Sequence, residues 1–234
     1  MRAAAAIPAF EARATIAEVV RRTRGVLPEV LVVDDGSTDG TAGAARAAGA
    51  EVIAHPSNRG KGAALLTAFA ALFGRGCDAV VTLDADGQHL PEEIPKLLEA
   101  ARGGADLVLG TRDHLFAQMV PARRLANRIS SWAISAAAGR PLSDIQTGFR
   151  LYTRRLVEAV GLPEARFDAE SAVVVRAARR GFVIATVPVR LGFADGRTTS
   201  HFRPLVDALR IARSVLRARF DGGRALSSPL RGPR

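Results

Sequence analysis

Short apolar and β-branched runs alternate along this chain with longer segments whose apolar residues recur every three or four positions. Side chains repeat every second residue in a strand and about every 3.6 residues in a helix, so the two patterns predict strands and helices respectively. The strand readings are Ala3–Ile7, Val30–Val33, Glu51–Ala54, Ala79–Leu83, Leu107–Leu109, Phe149–Tyr152 and Val183–Val189. The helix readings are Thr15–Arg24, Thr41–Ala48, Ala63–Phe73, Pro91–Ala101, Arg123–Ala138, Arg154–Val160, Glu170–Arg180 and Pro204–Phe220. Strand and helix alternate through most of the length. That order predicts an α/β domain with a mostly parallel sheet flanked by helices, its first half Rossmann-like.

Two of the predicted strands run straight into acidic clusters. Val80–Leu83 is followed by Asp84, Ala85, Asp86, Gly87 and Gln88. Extended backbone puts Asp84, Asp86 and Gln88 on one side, a set of hard oxygen donors suited to Mg²⁺ or Mn²⁺. Alone, this pattern fits a solvated turn equally well, because Asp-Gly pairs are common there. The second cluster, Asp34 to Thr41, follows Val30–Val33, and open α/β sheets bind ligands beyond the carboxyl ends of their strands. Ser37, Thr38 and Asp39 also offer N-cap oxygens to the next helix. Capping alone does not account for two acidic strand ends.

Five segments then occur in order: Ile7-Pro8-Ala9-Phe10, Val32 to Thr41, Asn58-Arg59-Gly60-Lys61-Gly62, Leu83 to His89, and Gln146-Thr147-Gly148-Phe149-Arg150. Together they resemble the family 2 glycosyltransferases, most closely the dolichyl- or polyprenyl-phosphate mannose synthase branch, over roughly residues 1–205. The resemblance implies a GT-A type single domain and a metal-dependent, inverting transfer of a hexose, mannose from GDP-mannose in that branch, to a polyprenyl phosphate. It implies Asp84, Asp86 and Gln88 as metal ligands, with Asp84 also serving the donor. Asp35 is implied at the nucleoside, lined by Pro8 and Phe10. The family's usual Tyr-Asn-Glu is replaced by Phe10-Glu11-Ala12, which makes Glu11 the nearest candidate for the acidic contact.

The acceptor side is read from arginines. Arg112 follows a strand, and Arg123, Asn127 and Ser131 share one face of the predicted helix after it. With Arg197 they form a candidate phosphate site, since guanidinium forks match phosphate oxygens. In the resembled branch, corresponding basic positions bind the lipid phosphate. A phosphate acceptor is already an anion, whereas a hydroxyl acceptor needs a base, for which Asp144, Asp168 and Glu170 are candidates. Asp168 also reads as a helix N-cap. His55 and His114 read as loop residues, and neither His89 nor His201 is assigned as a ligand.

Composition narrows the alternatives. The chain has 234 residues, 48% of them hydrophobic, enough for one domain with a sizeable core. Residues 1–202 read as the catalytic domain, 203–220 as a basic amphipathic helix and 221–234 as a mobile tail. The one cysteine, Cys77, cannot form an internal disulfide and reads as a buried filler in a reducing compartment. No run approaches the roughly 20 apolar residues of a membrane span, and the N-terminus lacks a signal-peptide pattern. The net charge is +10, and residues 197–234, with nine Arg and two Asp, supply +7 of it. A basic tail on a near-neutral body, with apolar Leu205, Leu209, Ala212, Leu216 and Phe220 beside Arg210, Arg213 and Arg217, suits an anionic membrane surface or packing on the domain. The expected location is the cytoplasm, peripheral at the cytoplasmic face of the membrane.

A nucleic-acid partner is not expected, because aromatics are only 5% and acidic strand ends repel phosphate without a metal. Gly60-Lys61-Gly62 is not a nucleoside-triphosphatase loop, since Gly62 stands where Ser or Thr is needed and His55 where the first glycine is needed. Lys61 remains a candidate phosphate contact. No glycine-rich pyrophosphorylase loop follows the first strand. Other donors, such as UDP-glucose, or a hydroxyl acceptor fit the same fold.

Overall fold

The computed structural model describes residues 1–111, 135, 136, 139, 147–162 and 168–192. Seven strands form one sheet in the order β3-β2-β1-β4-β6-β5-β7. They are β1 Ala3–Ala9, β2 Val30–Asp34, β3 Glu51–Ala54, β4 Ala79–Thr82, β5 Leu107–Thr111, β6 Arg150–Thr153 and β7 Ile184–Pro188. All pairings are parallel except those of β6, which runs antiparallel to both β4 and β5. The helices are α1 Arg13–Arg24, α2 Thr41–Ala47, α3 Lys61–Gly74, α4 Ile94–Arg102, α5 Arg154–Val160 and α6 Asp168–Arg179.

The inner strands β2, β4 and β5 are buried along their length because helices cover both faces of the sheet, while the edge strands β3 and β7 are partly exposed. Ala4, Ala6, Leu31, Val33, Val80, Leu107, Leu109 and Tyr152 share a buried cluster with residues of α3, α5 and α6. Their alternates Ala5, Ile7, Val30, Val32, Val81, Val108 and Leu151 share the other with α1, α2 and α4. Strand β1 is alanine at five of its seven positions. Bulk comes from α3 instead, where Phe69 sits 5.6 Å from Phe73 and 5.0 Å from Tyr152, ring centre to ring centre. Such aromatic contacts stabilise beyond their burial by about 0.5–1.5 kcal/mol each.

Some boundaries differ from the sequence reading for local reasons. The segment from Pro91 divides into a 3₁₀ turn, Pro91–Glu93, and α4, because Pro95 lacks an N–H and fits only a first helical turn. The third helix starts at Lys61, two residues early, where Gly60 at φ 97° lets the chain turn in. Cys77 is fully buried. The predicted helices Arg123–Ala138 (apart from Ser135 and Ala136) and Pro204–Phe220, and the segments 203–220 and 221–234, lie outside the described residues. Among the described residues no helix is long and apolar enough to cross a membrane.

Candidate active site

The carboxyl ends of β1, β2 and β4 lie side by side at one edge of the sheet, in the register Ala9 with Asp34 and Ala6 with Thr82. Because β6 is antiparallel, its first residues arrive at that same edge, with Arg150 opposite Thr82. The chain therefore brings the acidic segments after β2 and β4 together with Thr147 and Gly148. The crevice is built from five loops on a rigid sheet.

At the β2 side the charges are closed in. Asp34 Oδ1 accepts a hydrogen bond from the Ser37 N–H at 3.0 Å, which turns the chain immediately after the strand. Asp35 is 3% exposed, and its Oδ1 lies 2.6 Å from His55 Nδ1. The Arg59 N–H donates to the same oxygen at 3.0 Å, and the Gly60 N–H donates to Oδ2 at 2.7 Å. His55 Nε2 is 2.9 Å from Thr67 Oγ1 on α3. One carboxylate thus fixes the turn that delivers Lys61. Gly36 is required here: a Cβ at that position would lie 2.5 Å from the Ser57 carbonyl carbon.

The loop after β1 is tied across to the same cluster. The Glu11 N–H donates to Ser37 Oγ at 2.9 Å, and Glu11 Oε1 accepts from the Thr38 N–H at 2.8 Å. Glu11 holds φ 50°, a left-handed conformation that costs a side chain such as Glu about 1–2 kcal/mol. The family's usual residue at this place is Asn, which tolerates that conformation. The expected N-cap by Ser37, Thr38 or Asp39 is not what forms: Gly40 holds that position without a side-chain cap, and Asp39 supports the helix start from the residue before it. Asp39 Oδ1 accepts from the Thr41 N–H at 2.9 Å, while Ser37 and Thr38 serve Glu11 instead.

At the β4 side, opposite charges are packed without being fully satisfied. Lys61 Nζ donates to Asp84 Oδ1 at 2.6 Å and stands 2.9 Å from Glu170 Oε2. Burial would lower the Lys61 ammonium, but Asp84 and Glu170 outweigh it and hold it above the ordinary lysine range. Below them lies Arg150, fully buried, donating to the carbonyls of Thr147 at 2.7 Å and Glu170 at 2.6 Å. Burial, opposed by Arg150 and aided by Glu170, pushes the neighbouring Tyr152 phenol up to about 12. Glu170 Oε1 is buried and has no hydrogen-bond partner among the described residues.

Gly148 makes room for Asp84. A Cβ there would lie 2.4 Å from Asp84 Oδ2. Asp86 Oδ1 accepts from the Gln88 N–H at 3.0 Å, so the two ligand candidates share one turn. His89 is buried, stacked on Phe149 at 5.3 Å, and its Nδ1 accepts the Asp84 N–H at 3.1 Å. That lone pair is spent on the backbone. Among the described residues no group of three or more His, Cys, Asp or Glu could hold a metal by itself. Two carboxylates and an amide oxygen still fit a divalent cation that takes water and phosphate oxygens at its other positions.

Of the residues read from sequence, Pro8, Phe10, Glu11, Asp35, Lys61, Asp84, Asp86 and Gln88 all lie at this edge. Pro8, Phe10, Asp86 and Gln88 are half-buried there. Arg112, Arg123, Ser131, Asp144 and Arg197 lie outside the described residues. His55 lies in the loop after β3, as expected, and is buried there as a partner of Asp35. Two participants went unread: Arg150, and the pairing of Glu170 with Lys61. The parallel register of Asp34 with Ala54 sets His55 beside Asp35, and that register was the available signal for the first pair.

The sequence matches the family described as Glycosyl transferase family 2 over residues 5–161. The chain belongs to the family 2 glycosyltransferases. It is 32% identical to an undecaprenyl-phosphate mannosyltransferase of Micrococcus luteus, over 96% of this chain and 98% of that protein. A polyprenol monophosphomannose synthase of Mycolicibacterium smegmatis is 34% identical over 78% of this chain and 74% of its own. Among solved structures, glucosyl-3-phosphoglycerate synthase of Mycobacterium tuberculosis, in complex with Mn²⁺, UDP and phosphoglyceric acid, superposes with a TM-score of 0.71. That likeness spans 93% of this chain and 76% of the other at 22% identity, and it carries the GT-A fold alone. This family 2 enzyme therefore has the fold its motifs imply.

Proposed function

We propose that this glycosyltransferase is metal-dependent and inverting, and moves mannose from GDP-mannose onto a polyprenyl phosphate. The observation that carries the reading is the placement of two acidic strand ends on either side of β1, one closed around Asp35 and one presenting Asp84 and Asp86. The Micrococcus luteus relative, matched over nearly all of both chains, supports the mannose and the lipid phosphate.

Asp35, Pro8, Phe10 and Glu11 receive the nucleoside, and Lys61 stands toward the diphosphate. Asp84, Asp86 and Gln88 hold Mg²⁺ or Mn²⁺. A divalent cation bound there neutralises the charge that grows on the departing diphosphate. Arg112, Arg123, Ser131 and Arg197 receive the acceptor phosphate. That phosphate attacks without a base, which favours it over a hydroxyl acceptor. Glu170 is already engaged by Lys61 and Arg150, and Asp144 and Asp168 are the remaining candidates for a hydroxyl. Residues 1–202 form the catalytic domain, and helix 203–220 places the enzyme peripherally at the cytoplasmic face of the membrane.

The test is transfer from labelled GDP-mannose to polyprenyl phosphate with Mn²⁺, followed by analysis of the anomer. A β-linked product is expected, lost on chelation and in Asp86→Ala, with Gln88→Ala milder because water replaces a neutral ligand. An α-linked product, preference for another nucleotide sugar, or full activity of Asp86→Ala under chelation would overturn the corresponding part of the reading.

A further inference from the structure

The ion cluster beneath Asp84 contains more charge than holding a metal ligand requires. Lys61 bridges Asp84 Oδ1 at 2.6 Å and Glu170 Oε2 at 2.9 Å. The two carboxylates differ in setting: the Asp84 side chain is 32% exposed and that of Glu170 only 8%. The second oxygen of Glu170 is buried and lacks a hydrogen bond among the described residues, with Arg150 Nε 3.9 Å away. A buried oxygen without a partner is rare and destabilising, so this one is an open acceptor beside a cation with three rotatable donors. A Lys61 ammonium that gives up Asp84 Oδ1 keeps Glu170 Oε2 as its partner, has Oε1 of the same carboxylate as a further acceptor, and retains a third N–H for the diphosphate.

We propose that Lys61 is a displaceable internal counter-ion, neutralising Asp84 when no divalent cation is bound and withdrawing onto Glu170 when one enters. Glu170 is then a positioning residue, the receiver that makes withdrawal possible. The inference rests on the proposed function at one point, that Asp84 is a ligand of the cation. Its consequence is ordered binding. An ammonium at the ligand opposes a bare cation, so the metal enters well only together with the diphosphate that shares its charge.

Mn²⁺ binding to the full chain, read from the spectroscopic signal of the free ion with and without GDP, tests this directly. Lys61→Gln should bind Mn²⁺ without nucleotide at least about tenfold more tightly, because a like charge has been removed from the ligand. Glu170→Gln should bind Mn²⁺ more weakly, since Lys61 then has no charged receiver. The effect of Glu170→Gln should vanish in the Lys61→Gln background, whereas a merely electrostatic influence of Glu170 on the metal would persist there. Melting curves establish folding, and either single variant decides alone where the other does not fold. Unchanged or weaker Mn²⁺ affinity in Lys61→Gln, or an effect of Glu170→Gln that survives the double substitution, overturns the inference. Mn²⁺–GDP binding that survives Asp86→Asn overturns the proposed metal site, and this inference with it.

Discussion

The ends of β2 and β4 look alike in sequence, an apolar strand running into acids, yet the protein uses them in opposite ways. At β2 the Asp35 carboxylate has accepted a buried histidine and two backbone N–H groups. At β4 four formal charges, those of Lys61, Arg150, Asp84 and Glu170, balance in sum while one oxygen stays unsatisfied among the described residues. A closed network fixes one geometry, whereas an incompletely satisfied one has a second arrangement within reach. The first end is scaffold for the crevice. The second is where its charge can change.

If that contrast holds, damage at β4 should cost turnover, and damage at β2 should cost stability together with binding of the nucleoside. The largest effect is expected from Gly148→Ala, whose Cβ drives Asp84 out of place. Turnover should fall by about a hundredfold or more, as misplacing a reacting group by about 1 Å does, with little change in melting temperature. A large melting shift with turnover retained would erase the contrast. Next come the acceptor arginines. Arg112→Ala or Arg197→Ala should raise the acceptor requirement about tenfold to a hundredfold, the worth of a charge-assisted hydrogen bond, and leave donor use unchanged. Lys at either position should rescue only partly, and arginine variants that alter donor use alone would move the phosphate site elsewhere.

His55→Leu probes the other end. It strips Asp35 of a buried partner, which should cost about 1–3 kcal/mol of stability. In a chain of this size that is a melting shift of about 2–4 °C per kcal/mol. Unchanged melting with lost turnover would make His55 part of the chemistry instead. The smallest effect belongs to Glu11→Asn. Relief of the left-handed backbone, about 1 kcal/mol, is offset by loss of the Thr38 hydrogen bonds, so stability should move by no more than about 1 kcal/mol either way. A larger fall in melting temperature would show that the tie to Thr38 dominates.

Apolar, β-branched runs made β2, β4 and β5 legible, because a strand buried on both faces has little other composition available. The crevice was legible too, as acids placed directly after two such runs. Lys61 to Glu170 and Arg150 to Glu170 could not be read, since they join residues of separate elements through pairings that leave no periodic trace. Arg150 is the sharpest case. Its sequence context is an ordinary strand start, and only the antiparallel insertion of β6 makes it a fully buried cation. Where helices end depended on single residues, Pro95 and Gly60, whose local constraints override the apolar period.

The reversed direction of β6 has a consequence for how this enzyme can change. In a parallel crossover the connection leaves one edge of the sheet and must return to the other, so it carries a helix across the core. Here β5 ends at Thr111 and residues 147–149 lead into β6, antiparallel and paired, so both attachment points of residues 112–146 lie on the crevice edge. Whatever that stretch contains is an exchangeable cassette. Its length and composition can drift toward a new acceptor while the donor half and both cores keep their registers.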